Sequence, residues 1–248
     1  MDLTHAFDDG RHARAKIGFV LLATEQTIED DMYTMCPPGI GLHFTRADMP
    51  DSITISTFMQ HAAELAPAAK RILPDGSLDV ICYACTSGSL VIGEERVMAE
   101  LSKGAPNALP TTLITGVLAA LNAIGAKRVA VATPYLDEIN KREADYMEAA
   151  GFEITNIQGL QLEKDSDMIR VRPEFIADFA RSVDSEDADA DAVFISCGAL
   201  RSIDILDDRE QSLSKPVICS NQAMLWDVLR KAGVTNAIGG YGRLLRDY

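Results

Sequence analysis

Several features that would place a chain in a specialised class are missing from these 248 residues. No stretch approaches the roughly 18 uncharged apolar residues of a membrane-spanning helix. The first apolar run, from Ile17 to Thr24, is too short for such a helix and follows a charged segment rather than opening a signal peptide. With 47% apolar and 24% charged residues, the composition is that of a folded globular protein. We therefore expect a cytoplasmic protein with no membrane partner.

Basic residues are also scarce. The chain has 23 Lys and Arg against 37 Asp and Glu, which gives a net charge of −14. Because such a surface repels phosphate groups, we expect no nucleic-acid partner. A small anionic substrate is still allowed, since it would meet only the hydrogen-bond donors that line its pocket.

No common cofactor motif is present. The sequence contains neither the G-x-x-x-x-G-K-[ST] phosphate loop nor a G-x-G-x-x-G motif after the first predicted strand. The four histidines show no metal-ligand spacing, and the five cysteines are odd in number and scattered, which argues against a disulfide framework. Cys82 and Cys85 form a C-x-x-C pair, but Cys82 falls inside a predicted strand, which disfavours a redox or zinc site. We expect neither a cofactor nor a metal.

Short β-branched apolar runs alternate along the chain with longer segments that carry apolar residues at helical spacing. This alternation is typical of βαβ units and predicts an α/β fold, with mostly parallel sheets flanked by helices. The predicted strands are Lys16–Ala23, Ile40–Thr45, Leu78–Ala84, Arg128–Ala132, Phe152–Gly159, Asp191–Ser196 and Pro216–Cys219. The predicted helices are Thr57–Ile72, Thr111–Ile124, Leu136–Ala150, Pro173–Val183 and Asn221–Ala232.

The two halves of the sequence resemble each other at a shift of about 110 residues. A strand that ends in Ala-Thr recurs at Thr24 and Thr133, and a strand that ends on a cysteine recurs at Cys85 and Cys197. The repeat predicts two pseudo-symmetric Rossmann-like lobes with the active site in the cleft between them. We assign residues 1–112 and the C-terminal helix region 220–248 to the first lobe, and residues 113–219 to the second.

Cys85 and Cys197 each stand at the carboxyl end of a predicted strand, where open α/β sheets bind their ligands. Each is followed by small residues that open a turn or a helix, whose backbone N–H groups and dipole favour a thiolate. The same N–H groups can hold a carboxylate or an oxyanion. We therefore predict that backbone donors bind the substrate; these are Thr86, Ser87, Gly198 and Ala199.

Pseudo-symmetry predicts that the two matched cysteines act together in one cleft. If the lobes face each other, the two thiols approach one cleft from opposite sides. Stereoinversion requires two acid/base groups on opposite faces of one carbon, of which one removes a proton as thiolate and the other delivers one as thiol. A lone cysteine at a strand end is more often a small buried apolar residue, whereas a matched pair favours the functional interpretation.

The residues around both cysteines resemble a known enzyme group. Similar motifs occur in the aspartate/glutamate racemase superfamily, and within it in the maleate cis–trans isomerase and arylmalonate decarboxylase branch. The opening also resembles racemase-like proteins associated with ectoine utilisation. The resemblance spans nearly the whole chain and implies two-lobed α/β enzymes with one catalytic cysteine per lobe, no cofactor, and assembly as dimers or tetramers. The motifs are Cys85-Thr-Ser-Gly, Cys197-Gly-Ala-Leu-Arg-Ser, Thr133-Pro-Tyr135 and Thr24-Glu-Gln-Thr-Ile-Glu29, with Ala23-Thr-Glu-Gln-Thr and Cys36-Pro-Pro-Gly for the narrower likeness.

The resemblance implies an isomerase or racemase that acts on a small carboxylate. Cys85 would be the nucleophile or base, Cys197 its acid/base partner, and Tyr135 a hydrogen-bond donor to the substrate carboxylate. In the isomerase mechanism a thiolate adds to a double bond, the resulting single bond rotates, and elimination gives the trans isomer. In the racemase mechanism the same pair exchanges a proton at the carbon next to a carboxylate.

Glu25 departs from the isomerase pattern, which places an asparagine at this position. The second substrate-binding asparagine of those enzymes would fall near Asp165–Asp167, where the sequence has none. A glutamate beside a dicarboxylate costs binding energy by repulsion unless it is protonated or paired. It suits a substrate with an ammonium or amide group, so we count Glu25 among the substrate-binding residues and leave the substrate open.

Two other functions remain open. An arylmalonate-type decarboxylase is the first, although that branch typically keeps one catalytic cysteine and this chain has both. A non-catalytic module that binds a small carboxylate between two lobes is the second. Such a module should show ordinary thiol pKa values near 8.5, whereas catalytic thiols should have shifted values.

Overall fold

The computed structural model describes residues 5–8, 10–185 and 189–248. Its strands are β1 (Ala15–Leu22), β2 (Ile40–Ala47), β3 (Val80–Tyr83), β4 (Leu109–Thr112), β5 (Arg128–Thr133), β6 (Glu153–Gly159), β7 (Ala192–Ile195) and β8 (Val217–Cys219). Its helices are α1 (Ile28–Met35), α2 (Ile55–His61), α3 (Leu65–Ala69), α4 (Thr86–Ile92), α5 (Glu94–Gly104), α6 (Leu113–Ala123), α7 (Asp137–Ala149), α8 (Asp165–Met168), α9 (Pro173–Ser185), α10 (Leu206–Leu213), α11 (Ser220–Lys231) and α12 (Gly242–Asp247).

The strands form two separate four-stranded sheets, ordered β2-β1-β3-β4 and β6-β5-β7-β8. Every pairing within them is parallel. β3 and β7 are buried along their whole length, as expected of central strands that helices cover on both faces. The predicted α/β fold of two parallel-sheet lobes is confirmed. None of the helices in the described part of the chain is long and apolar enough to cross a membrane.

The two sheets repeat each other strand for strand, since β1 to β4 occupy the places that β5 to β8 occupy in the second sheet. The helices that follow the last strand of each sheet, α6 and α11, pack against each other. A Cβ at Gly116 would lie 3.1 Å from the Ala223 carbonyl oxygen, so a small residue allows this close approach. Thr111 Oγ1 donates a hydrogen bond of 2.8 Å to Asp227 Oδ2 across the same join.

The division into lobes at residues 112/113 and 219/220 stays a prediction, and residues 1–4 of the predicted first lobe lie outside the described residues. Two local expectations are wrong. The predicted helix Thr111–Ile124 begins two residues too early, because Thr111 and Thr112 belong to the edge strand β4, in which the missing N–H of Pro110 faces no partner strand. The predicted helix Thr57–Ile72 is divided into α2 and α3 by a 3-10 turn at Ala62–Glu64. Pro67 cannot donate the helical hydrogen bond that would continue α2 without a break.

Candidate active site

One cavity lies at the carboxyl ends of β1, β3, β5 and β7 and takes residues from both halves of the chain. Its free space is only about 10 Å³, close to the least that holds one water molecule. The structure brings all the predicted site residues together here. The lining consists of Leu22, Glu25, Ile53, Ala84, Cys85, Thr86, Ser87, Tyr135, Asp165, Met168, Cys197, Gly198 and Ala199.

Cys85 is held at the end of β3 as the N-cap of α4. Its Sγ accepts a hydrogen bond of 3.3 Å from the Gly88 backbone N–H and lies 3.7 Å from Ser87 Oγ. Its carbonyl oxygen accepts from Ser89 Oγ at 2.6 Å. Gly88 has no room for a side chain, because a Cβ there would overlap the hydroxyl of Tyr83. The strand-to-helix turn therefore fixes the thiol toward the cavity.

Cys197 follows β7 and has a strained backbone. Its φ of 99° lies in a region that residues with a side chain rarely adopt. Gly198 and the Ala199 N–H follow at once, and that N–H donates to Cys197 Sγ at 3.4 Å. Backbone strain of this kind is concentrated at functional sites, where the surrounding structure holds it in place.

Ser220 joins the two cysteine segments. Its Oγ accepts a hydrogen bond of 2.9 Å from the Cys197 backbone N–H and lies 3.1 Å from Thr86 Oγ1. Both hydroxyl-bearing residues are fully or almost fully buried. The residue after Cys85 and the backbone of Cys197 are thus tied to one hydroxyl at the start of α11.

Both thiols are neutral in the closed cavity. Burial raises the pKa of Cys85 to about 12, against the opposing effect of the Gly88 N–H and Ser87 hydroxyl. Burial raises the pKa of Cys197 well above its ordinary value, Asp165 raises it further, and the Tyr135 hydroxyl and Ala199 N–H lower it. The N–H groups favour the thiolates, as expected, but in this closed state burial outweighs their effect. The pKa values of both thiols are nevertheless far from that of an exposed cysteine.

The predicted backbone donors differ in what they already bind. The Ala199 N–H is occupied by Cys197 Sγ, so it is not a free donor to substrate in this structure. Thr86, Ser87 and Gly198 line the cavity at the two strand ends. Tyr135 is almost fully buried, and its hydroxyl interacts with the Cys197 thiol. Tyr135, which we predicted to bind the substrate, is therefore in direct contact with one of the two cysteines.

Glu25 lines the cavity and also caps a helix. Its Oε1 accepts hydrogen bonds from the N–H groups of Gln26, Thr27 and Ile28 at 2.8, 2.5 and 3.0 Å. Burial, and then the nearby Asp165, raise the pKa of this carboxyl to about 7 in spite of these donors. The main chain thus orients the carboxyl group while leaving Oε2 unused.

Asp165 is a second buried carboxyl in the same cavity. It belongs to the segment where the resemblance called for an asparagine. Its Oδ2 accepts from Thr24 Oγ1 at 2.6 Å, and burial raises its pKa above the ordinary value. Sequence reasoning noted the missing amide here but did not identify Asp165 as a lining residue.

A strap of hydrogen bonds closes the cavity by joining the loop before α2 to the segment at α8. The Ile53 N–H donates to the Glu163 carbonyl at 2.9 Å, and the Asp165 N–H donates to the Asp51 carbonyl at 3.1 Å. The Asp51 carboxylate accepts from the Ser166 N–H at 2.9 Å and from Ser166 Oγ at 2.6 Å. The closed cavity has no room for a substrate, so the cavity must open for one to enter, and we expect this strap to control the opening.

Cys82 lies within β3 and is fully buried, as predicted, so it does not form a reactive pair with Cys85. Among the described residues, no three His, Cys, Asp or Glu side chains are grouped as metal ligands would be. Ser220 and the apolar wall of Leu22, Ile53 and Met168 were not predicted. Ser220 follows the carboxyl end of β8, so the rule that ligands bind at strand ends could have identified it.

The chain is similar to proteins of known activity. A family model described as arylmalonate decarboxylase matches residues 49–245. An arylmalonate decarboxylase of Bordetella bronchiseptica is 36% identical over 209 residues, which cover 83% of each chain. A maleate isomerase of Nocardia farcinica is 28% identical over 246 residues, 93% of this chain and 95% of that protein.

The fold similarity extends over nearly the whole molecule. A solved structure of the Nocardia farcinica maleate cis–trans isomerase superimposes with a TM-score of 0.86 and 25% identity, covering 94% of this chain and 99% of that one. That structure is of a cysteine-to-serine mutant with a covalently bound succinylcysteine intermediate.

Proposed function

The chain belongs to the arylmalonate decarboxylase family, and from that premise we propose that it is a cofactor-independent isomerase or racemase that uses Cys85 and Cys197 on a small carboxylate. Its relatives include both isomerases and a decarboxylase of small carboxylates. The observation that carries the choice is that both thiols line one cavity, each at the end of the equivalent strand of its sheet.

In a racemase reaction the two thiols act on one carbon next to the substrate carboxylate. One cysteine, as thiolate, takes the proton from this carbon and becomes a thiol. The other cysteine, as thiol, delivers its own proton to the opposite face and becomes a thiolate. No net proton is gained or lost, and the configuration at the carbon is inverted. The protonation states of the two cysteines are now exchanged. The next turnover therefore runs in the opposite direction, or it follows proton exchange of both cysteines with solvent.

In a cis–trans isomerisation the same groups act on two neighbouring carbons. The Cys85 thiolate forms a C–S bond to one carbon of the double bond, and the Cys197 thiol protonates the other. Rotation about the new single bond follows; the Cys197 thiolate then takes the proton back, and the C–S bond breaks to release the trans isomer. The succinylcysteine found in the Nocardia farcinica relative supports this sequence of steps.

In the opened cavity we place the substrate carboxylate at the ends of β3 and β7. Thr86, Ser87 and Gly198 line the cavity there and would offer their backbone N–H groups, and the Tyr135 hydroxyl lies beside Cys197. Hydrogen bonds from such donors strengthen as negative charge grows on the carboxylate while the proton is removed. Tyr135 would thereby bind substrate and orient one thiol.

A decarboxylase is the second candidate, and the 36% identity to the Bordetella bronchiseptica enzyme favours it. A single thiol is sufficient to protonate the enediolate left after carbon dioxide departs, so this function would leave one of the two cysteines unused. The non-catalytic binding module would leave both unused. Action in ectoine degradation, a cytoplasmic location and a homo-oligomeric state stay predictions.

The proposal is tested with a panel of maleate, aspartate, glutamate, N-acetylated diaminobutyrates and an arylmalonate. Proton NMR and polarimetry follow each compound with the reduced wild-type protein and with Cys85→Ser and Cys197→Ser. We expect fumarate formation or loss of optical rotation that both variants abolish.

Each alternative gives a different result in the same panel. Loss of carbon dioxide that survives one of the serine variants would support the decarboxylase. Turnover that survives Cys85→Ser would contradict its role as nucleophile or base. Binding of panel compounds without any turnover would favour the non-catalytic module.

A further inference from the structure

We propose that the substrate carries a protonated amine close to its carboxylate, and that Glu25 and Asp165 together bind this ammonium group. The inference deepens the proposed function, because it rests on the same cavity and names the class of compound that the cavity accepts. It assigns to Asp165 a role in substrate selection that neither the sequence nor the relatives supplied.

Each of the two carboxyl groups presents one unoccupied oxygen. Glu25 Oε1 is used by three backbone N–H groups, and Asp165 Oδ2 is used by the Thr24 hydroxyl. No group in the described part of the chain donates to Glu25 Oε2 or to Asp165 Oδ1. Both side chains are more than nine-tenths buried and both line the cavity. A carboxyl oxygen of a buried side chain that faces a cavity without a donor from the protein can accept one from a ligand.

No cation among the described residues fills that need. The cavity lining contains no lysine, arginine or histidine. Arg46 contacts the Glu25 region, but its guanidinium donates to the Glu29 carboxylate and to the main-chain carbonyl of Glu25. Asp31 and Asp51 lie near the pair and are also acidic, and Lys164, which precedes Asp165, acts on the Asp51 carboxylate. None of the described residues that line the cavity therefore carries a positive charge that could pair with Glu25 or Asp165.

This arrangement discriminates between substrates. A second carboxylate at this end of the cavity would face two acids, and both would have to be protonated to accept it. An ammonium group would instead find two acceptors, and its charge would favour their ionised forms. The asparagines that the resemblance implied here would offer neutral amides to a dicarboxylate. Two acids at these positions reverse the preference.

A cationic substrate would also help to ionise the thiols. Asp165 raises the pKa of both Cys85 and Cys197, and Glu25 adds to the effect at Cys197. An ammonium group bound between these acids compensates their negative charge. The two-thiol reaction needs one thiolate, so the ligand that the acids select is also the one that makes a thiolate less costly.

The test compares pairs of carboxylates that differ only by an ammonium or a methyl group at one position. The pairs are 2-aminobutyrate with 2-methylbutyrate, 3-aminobutyrate with 3-methylbutyrate, and 4-aminobutyrate with pentanoate, and maleate is added as a dicarboxylate. Dissociation constants are measured by calorimetry at pH 8 on the whole protein. We expect at least one amino acid to bind tenfold or more tightly than its methyl partner and than maleate. Equal or weaker binding of all three amino acids would overturn the inference.

Two variants and a control locate the effect. Asp165→Asn and Glu25→Gln keep the shape and the oxygen that accepts the internal hydrogen bonds, and each should reduce the ammonium preference to about threefold or less and strengthen maleate binding. Asp31→Asn removes a buried carboxyl of the same neighbourhood that binds Asn221 and does not line the cavity. It should retain the preference. A loss of preference in Asp31→Asn equal to that in Asp165→Asn would show a general charge effect and contradict a specific site.

Failure of this inference is distinguishable from failure of the proposed function. Binding needs neither thiol, so the comparison is repeated with the Cys85→Ser, Cys197→Ser double variant. An ammonium preference there, with no turnover by the wild type, would support the binding site and remove the two-thiol reaction. Thiol-dependent turnover of maleate without any ammonium preference would support the two-thiol reaction and contradict the ammonium site.

Discussion

The hydroxyl of Ser220 lies 3.1 Å from the hydroxyl of Thr86, and the same Ser220 oxygen accepts the backbone N–H of Cys197. A residue that follows β8 therefore sets the spacing between the segments that carry the two cysteines. No sequence motif predicted this contact, which links the two cysteine segments directly.

Ser220→Ala should lower kcat by about 10- to 100-fold, because small displacements of reacting groups are costly. It should also reduce the free energy of unfolding by about 1–2 kcal/mol through the lost hydrogen bonds. Thr111→Val is the matched control, since it removes another buried hydroxyl bond at the join of the halves, far in sequence from both cysteines. Steady-state kinetics and chemical denaturation separate the two effects. Equal losses of kcat in both variants would contradict a positioning role for Ser220.

Because of the backbone conformation at Cys197, glycine should replace this cysteine with less loss of stability than alanine. At a φ of 99° a Cβ is unfavourable, so Cys197→Gly should be more stable than Cys197→Ala by about 1 kcal/mol. Cys85 has a φ of −147°, so there the alanine variant should be the more stable one by about 0.5–1 kcal/mol. Urea denaturation of the four variants measures both differences. The same order at both positions would show that Cys197 is not strained.

Sequence patterns predicted the sheet strands well where burial is continuous, as in β3 and β7, but they missed several elements. β4 escaped because Pro110 is unusual in a strand and is tolerated here only at a sheet edge. The helices α1 and α5 were missed because their apolar stripes are narrow: α1 buries three apolar side chains and α5 buries two, and most of their other residues are polar.

The site was predictable in part for a physical reason. The rule for open α/β sheets locates ligands at strand ends, which identified Cys85 and Cys197 without knowledge of the packing. Asp165 and Ser220 approach the cavity through tertiary contacts between the halves, with Asp51 and Thr86 respectively. Contacts between residues more than 100 positions apart leave no periodicity in a single sequence.

Glu143 provides a test of buried charge outside the cavity. It is fully buried on α7, accepts from Ser196 Oγ at 2.6 Å, and burial raises the pKa of its carboxyl from 4.5 to about 7. Between pH 4.5 and about pH 7, Glu143 has released its proton in the unfolded chain but still holds it in the folded one. Rising pH therefore destabilises the fold. Glu143→Gln removes this effect. The change that it causes in the free energy of unfolding should be more favourable at pH 8 than at pH 4.5, by up to about 3 kcal/mol.

Thermal and chemical unfolding across this pH range measures that difference. Glu148→Gln, an exposed site on the same helix, serves as the control and should show no pH-dependent gain. A Glu143→Gln gain that is constant between pH 4.5 and pH 8 would mean that the carboxyl is ionised throughout.

The strap that closes the cavity should control access to both thiols. Asp51→Ala removes two hydrogen bonds to Ser166, each worth about 1 kcal/mol, so the strap should open about tenfold or more often. Alkylation of Cys85 and Cys197 by iodoacetamide, followed by peptide mass spectrometry, should accelerate accordingly. The half-buried Cys36 should react at an unchanged rate, as should all cysteines in Asp48→Ala, whose side chain is in the same loop. Unchanged alkylation of Cys85 and Cys197 in Asp51→Ala would mean that the strap does not limit entry.

The central claim is that two thiols act on one substrate, and deuterium labelling of a racemised substrate tests it most directly. A single enantiomer that the wild-type protein converts is incubated in D2O, and proton NMR is recorded at low conversion. If two thiols that exchange protons with solvent act on opposite faces, the product enantiomer should carry deuterium while the recovered substrate keeps its proton. Neither serine variant should invert the configuration of the substrate. A product that retains the substrate proton, or inversion that persists in Cys85→Ser or Cys197→Ser, would contradict the two-thiol account.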